Sequence, residues 1–212
     1  GTVTFTGEIT ENHLANYNLA LYPDGANVWD FSQRVWQENV TNPPAPVGNI
    51  TTISHDFDTT SLADGYYLLR LAARDKAGNR DPLANSGTGV SIEVIRVLID
   101  NTKPESTITT FNLPDEGEVQ TPTFDGLIAG TATDADPSSG LQKILLEIHY
   151  SNFEATQSSY WNGSDWQDAQ TSVEITTTPE LWSYQIPEGF VQEGIYTVVS
   201  HAVDNAGNVE ET

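Results

Sequence analysis

The chain has 212 residues, no cysteine and no methionine, and a formal net charge of −22 from 30 acidic and 8 basic residues. Without cysteine there are no disulfides, thiol catalysis, zinc–thiolate centres or iron–sulfur clusters, and so negative a surface repels nucleic acid and anionic lipid. No apolar run approaches the roughly 18–20 residues that span a bilayer as a helix, yet 37 % hydrophobic content supplies a packed core. The Gly1 start without methionine fits a processed or excised segment. The acidic balance is uneven: residues 1–101 carry a net charge of −6 and residues 102–212 carry −16. The second half therefore has few cations with which to pair its carboxylates. It suits either a solvated acidic surface or bound divalent cations.

In chain order, the expected strands are 3–10, 17–22, the part of 65–79 before its Asp-x-Ala-Gly-Asn turn, 91–99, 106–111, 124–133, 141–150, 172–177 and the part of 194–208 before the same turn. Each is short, rich in alternating or β-branched apolar residues, and bounded by turn signals. The turns include 42–46 (NPPAP), 81–89 (DPLANSGTG) and 134–140 (DADPSSG). Asn162-Gly163, between Trp161 and Trp166, reads as the tip of a two-residue hairpin. No segment holds a helical period over twelve residues, so the class is all-β.

An internal repeat organises these elements. Residues 65–79 (GYYLLRLAARDKAGN) align without a gap on 194–208 (GIYTVVSHAVDNAGN), sharing Gly65/Gly194, Tyr67/Tyr196, Ala73/Ala202, Asp75/Asp204, Ala77/Ala206, Gly78/Gly207 and Asn79/Asn208. Each copy reads as a strand followed by a turn in which the Asp carboxylate accepts backbone N–H groups and Gly supplies positive φ. Leu62 and Val191 match in kind, five residues before each Tyr. Tyr67 and Tyr196 are therefore candidates for a tyrosine corner, a ring in the core whose hydroxyl bonds nearby backbone. The duplication predicts two tandem immunoglobulin-like β-sandwich domains, residues 1–101 and 102–212, joined near Asn101–Pro104.

The pattern G-x-Y-x-x-x-x-A-x-D-x-A-G-N, followed by Asp100-Asn101-Thr102-Lys103-Pro104, resembles the tandem immunoglobulin-like and fibronectin-III-like repeats of large bacterial and archaeal surface proteins. Gly130-Thr131-Ala132-Thr133-Asp134 with Ser139-Gly140-Leu141 is similar to the same repeats. The resemblance implies an extracellular or cell-surface setting and a non-enzymatic role as a rigid spacer in an adhesin, stalk or filament. The alternative is an accessory module of a secreted enzyme. In the related cadherin-like repeats acidic loops converge on calcium, which makes Asp100, Asp134 and Asp136 the candidate metal ligands. Asp75 and Asp204 read as turn-capping residues.

The sequence contains no nucleophile elbow, zinc-binding helix motif, phosphate loop or EF-hand loop. Ser54-His55-Asp56 has triad residue types, but neighbours on a strand face opposite ways. Tyr160, Trp161 and Trp166 form a candidate sugar-stacking group, with surface glycans as the partner; the opposing reading packs them on their own sandwich. Asn39, Asn49 and Asn162 stand in N-x-S/T sequons and are candidate glycosylation acceptors in a secreted protein. Gly7–Thr10 aligns with Gly130–Thr133, which leaves domain one without a first strand. Domain two has too few residues after Asn208 for a last strand. Neighbouring repeats or subunits are thus the expected partners, completing both domains by strand addition.

Overall fold

The computed structural model describes residues 1–81, 94–110, 126–186 and 193–211. The expected turn at 82–89, the strand portions at 91–93 and 124–125, Phe111 and Val191 lie outside the described residues. The chain divides into two compact units, Gly1–Asn101 and Thr102–Thr212. Each is an immunoglobulin-like β-sandwich, and neither has an α-helix among its described residues.

In the first unit one sheet pairs β1 (Thr2–Thr10) antiparallel with β4 (Ile50–Asp58). The facing sheet is built around β2 (Leu14–Pro23) and β5 (Gly65–Asp75). β3 (Trp36–Val40) extends it on one side; β6 (Arg80–Asp81) and β7 (Val94–Ile99) pair with the free edge of β5 on the other. Alternation decides what enters the core. Leu19 lies opposite Leu71 and Leu21 opposite Leu69, facing Ile53 and Phe57 of β4 and Ile9 of β1. Trp36 closes one side, its ring 4.8 Å from that of Phe57.

In the second unit β8 (Glu105–Ile108), β9 (Leu127–Thr133) and β14 (Leu181–Gln185) form a three-stranded sheet in the order β14-β9-β8. The facing sheet centres on β10 (Leu141–Ser151), which pairs with β15 (Ile195–Asp204) along one edge. Its other edge carries β11 (Ser158–Trp161) and β13 (Val173–Ile175), and β12 (Trp166–Gln167) adds to β11. Ile144, Leu146 and Ile148 enter the core against Ile128, Ala132 and Trp182.

The two units repeat each other in detail. In both, the pairing of the central strands slips by one residue at its start: between Leu14 and Asn16 opposite Asp75, and between Leu141 and Lys143 opposite Asp204. Among the described residues the first unit has a two-stranded sheet where the second has three strands, and β8 covers the edge of β9 that β1 leaves open. Among the described residues the second unit has no counterpart of β7, and the outer edge of β15 carries one isolated bridge, Val203 to Val209.

Two packing details fix these folds. The Tyr67 ring is buried and its hydroxyl donates to the Ala63 carbonyl oxygen at 2.8 Å, the bond of a tyrosine corner. In the second unit a tyrosine on the neighbouring strand also bonds this region, Tyr150 donating to the Glu193 carbonyl oxygen at 3.1 Å. Tyr196 is half-buried and packs its ring 5.1 Å from that of Tyr150. Gly130 is required by space. A Cβ there would lie 2.2 Å from the Thr107 carbonyl oxygen and 2.3 Å from the Trp182 indole.

Replacing Tyr67 with Phe is expected to destabilise the first unit by about 1 kcal/mol, read as a lower midpoint in chemical denaturation. Gly130→Ala is expected to cost the second unit about 1–3 kcal/mol through overpacking. Residue-resolved hydrogen exchange should show faster opening in β9 and β14, with β2 and β5 unchanged.

Candidate functional site

The repeated Asp-x-x-Gly-Asn turn is built the same way twice. Asp75 accepts the backbone N–H of Asn79 at 2.8 Å on one oxygen and the Asn79 side-chain amide at 2.7 Å on the other. Asp204 accepts the same two donors from Asn208 at 2.8 and 2.7 Å. Gly78 and Gly207 hold φ of 94° and 89° inside these turns, a region that other residues enter at a steric cost. Lys76 N–H donates to the His13 carbonyl oxygen, and Asn205 N–H to that of Gly140, so each turn also pins the start of its central strand. The Asn79 side chain, donating to the Asp75 carboxylate, holds that carboxyl below its usual range; desolvation opposes this, and backbone N–H groups of residues 77–79 add to it.

The expected calcium ligands are rearranged. Asp136 is exposed, in the loop where it precedes the cis Pro137. Asp204, expected only as a turn cap, is fully buried, and its carboxylate lies within 4.8 Å of that of Asp134. Asp134 also accepts the Gly140 N–H at 3.0 Å, and the Asn205 amide ties the same loop by donating to the carbonyls of Ser139 and Gly140. Two carboxylates at this distance repel by about 3.5 kcal/mol at an effective dielectric near 20. Amide donors offset part of that, and a hard cation would offset more. The pair offers the oxygen donors that calcium takes, short of the six to eight it needs. Asp100 is buried at the end of the first unit, directly after β7.

The sugar-stacking expectation is corrected by burial. Trp161 is 7 % exposed, and its indole N–H donates to the Tyr184 hydroxyl at 2.8 Å. Trp166 packs on the same core, its ring 5.5 Å from that of Trp161. Tyr160 lies against His149. The indoles serve the core because strand alternation at the end of β11 turns Trp161 inward. The hairpin is also longer than expected. Trp161 pairs with Trp166, so residues 162–165 form a four-residue loop, with the Asn162 side-chain oxygen accepting from Ser164 and Asp165 N–H.

Among the sequon residues, Asn39 is exposed on β3 and accepts the Asn18 amide at 2.7 Å. Asn49 is exposed in the turn before β4, and Asn162 is exposed at its loop. His55 faces Tyr17 at 2.6 Å while its neighbour Asp56 accepts from Thr4, so the Ser54-His55-Asp56 side chains do not converge.

One constellation has no counterpart among the sequence candidates. Arg34, Arg70, Arg74 and Arg80 line a single pocket of the first unit, on the outer face of its larger sheet. The signal was present in β5, where Arg70 and Arg74 alternate out of phase with Leu69, Leu71 and Ala73. The part contributed by the loop over Arg70, with Trp29 and Phe31, carries no periodic pattern.

No family model matches the chain, and no curated protein matches it. Among solved structures, the crystal structure of the chicken CNTN1 FN1–FN3 domains aligns over 93 % of this chain at 14 % identity, with a TM-score of 0.36. The crystal structure of dimeric latent PorU from Porphyromonas gingivalis aligns over 99 % at 12 % identity, with a TM-score of 0.30. The chain spans 50 % of the first and 18 % of the second.

A carboxyl held low in the folded state adds stability above its unfolded value of about 3.9. That stability is lost as pH falls through the lower folded value. Asp75→Asn is therefore expected to lower the melting temperature at neutral pH and to flatten its decline below pH 4. An unchanged acid profile would show that this carboxylate is not linked to folding.

Proposed function

We propose that the chain is a non-enzymatic extracellular structural module, a pair of spacer repeats in a longer cell-surface adhesin, stalk or filament. The observation that carries this reading is the pair of open sheet edges on two copies of one fold. Among the described residues β1 pairs with β4 alone, and the outer edge of β15 carries no strand, only the Val203–Val209 bridge and the bonds between Glu210 and Ala202. The backbone N–H and C=O groups of such edges bind an added strand. Neighbouring repeats or subunits of the same protein are the proposed donors. The repeated Asp-Asn turns support a load-bearing role, because each locks the end of a central strand to the loop before its partner. No helix among the described residues is long and apolar enough to cross a membrane.

Calcium is the proposed ion for the acidic end of the second unit. Asp134 and Asp204 would hold it, and it would neutralise a pair of neighbouring carboxylates, one of them fully buried. The ion's role in this reading is stiffness.

Hydrogen exchange on this chain and on the parent protein tests the strand-addition reading. The outward amides of β1, and those of β15 ahead of Ala202, should exchange quickly in the isolated chain and become protected in the parent. Equal protection in both would contradict it. Calcium at one hundred times its dissociation constant should stabilise the second unit by about 2.7 kcal/mol. Scanning calorimetry with and without chelator should lose that gain in Asp134→Asn, whereas the absence of any calcium-dependent shift removes the ion.

A further inference from the structure

Half of the chain's eight basic residues meet in one place. Arg34, Arg70, Arg74 and Arg80 line a pocket of about 250 Å³ in which no lining residue is acidic. The other described contacts of cations differ in kind. Arg96 pairs with Asp24, Lys103 with Glu211 and Lys143 with Glu174, whereas none of the four pocket arginines pairs with a carboxylate among the described residues. In a protein with 30 acidic residues, four guanidinium groups in one lining, with no carboxylate partner among the described residues, repel one another, and an anion relieves that repulsion.

The pocket is a built site. Arg70 is 4 % exposed, and its Nε has no hydrogen-bond partner among the described residues. Its guanidinium carbon lies 4.6 Å over the Trp29 ring and 5.7 Å from that of Phe31, with one long bond to the Val28 carbonyl oxygen at 3.4 Å. Aromatic faces thus hold this cation without satisfying all its donors. Arg34 is fixed in turn, donating from Nε to the Phe31 carbonyl oxygen at 2.8 Å and lying 4.9 Å from the Phe31 ring. Arg74 and Arg80 face each other across the β5–β6 pair, and Asn16 lies opposite Arg74 across the β2–β5 pair.

We infer that this pocket binds a uronic-acid unit of an acidic polysaccharide. Planar guanidinium groups recognise a carboxylate through paired N–H donors. Three carboxamides, Asn16, Asn18 and Asn39, also line it. The Asn18 amide donates to the Glu38 carbonyl and to the Asn39 side-chain oxygen. The Asn18 oxygen, the Asn39 amide and the Asn16 carboxamide supply the acceptors and donors that sugar hydroxyls match. Phe31 is 51 % exposed and offers an apolar surface to the C–H face of a ring. The volume lies below the roughly 300–1,000 Å³ of drug-sized sites and suits one pyranose. A glutamate side chain would satisfy the arginines but leave the carboxamides without hydroxyl partners. At physiological salt the screening length is about 8 Å. The acidic surface elsewhere on the chain therefore opposes binding weakly, while groups in direct contact inside the pocket are little screened.

The test uses the 212-residue chain and trigalacturonate as the probe, followed by calorimetry and amide chemical shifts in 0.15 M salt. Saturable binding is expected, with shifts centred on Asn16, Asn18, Ala72 and Arg74, and none with neutral maltotriose. Arg74→Gln combined with Arg80→Gln should weaken binding at least tenfold while leaving the melting temperature unchanged. Arg96→Gln, outside the pocket, should bind as the unaltered chain does. Lack of saturation at millimolar probe, or full binding by the double variant, would overturn the inference. Equal binding of triglutamate or inorganic sulfate would also overturn it, since the site would then recognise charge without the sugar.

Discussion

The register between β2 and β5 is the constraint on which the first unit depends. It sets Leu19 against Leu71 and Leu21 against Leu69, so one face becomes core. The same register sets Asn16 against Arg74, Asn18 against Ala72 and Ala20 against Arg70 on the other face. A slip of one residue would send the leucines to solvent and the arginines into the core. Burying even one unpaired guanidinium there would cost several kcal/mol. The segregation of apolar and basic residues along β5 is thus both the folding signal and the origin of the pocket. Trp29 and Phe31 then cover Arg70 from outside, making a buried cation tolerable by cation–π contact in place of an ion pair.

The second unit uses the same pairing for a different surface. β10 and β15 bring Ile144, Leu146 and Ile148 inward opposite Ala202, Ser200 and Val198. The outward positions are mixed: Lys143 pairs with Glu174, and His149 stacks on Tyr160. No cluster of arginines forms there, because residues 102–212 contain two lysines and no arginine. What both units retain is the slipped start of the central pair and the Asp-Asn turn that closes it. The C-terminal stretch adds a further tie within the second unit. Glu210 accepts from Ser106 N–H and Ala202 N–H, joining β8 to β15 across the two sheets. Duplication therefore preserved the framework and left the outer faces to diverge.

Much of this was legible because local chemistry and global fold agree. Tyr67 and the Asp75 turn announce themselves through a fifteen-residue repeat whose shared Tyr, Asp, Gly78 and Asn79 positions carry the corner and the turn. β3, β4 and β14 were not among the expected strands. β4 alternates Thr51, Ile53, His55 and Phe57 inward, but two of those side chains are polar, and Thr51 is nonetheless buried. β14 exposes Leu181 and buries Trp182, so its hydrophobic signal is one residue wide. Among the acidic residues, Asp136 is near Asp134 in sequence but exposed, whereas Asp204, seventy residues away, is brought within reach of Asp134 by the β10–β15 pairing. Trp161 and Trp166 suggested an exposed platform because aromatic residues at a turn read alike whether they face core or solvent. The arginine pocket needed tertiary structure: its strand residues alternate visibly, but the covering loop is placed by contacts that sequence spacing does not encode.

The register is the claim from which core, turn and pocket all follow, and nuclear Overhauser spectroscopy measures it most directly. Cross-strand contacts are predicted between Asn18 and Ala72 in the first unit and between Leu145 and His201 in the second. Contacts from Asn18 to Ala73, or from Leu145 to Ala202, as the directly opposed pairs would reverse the two faces and contradict the account.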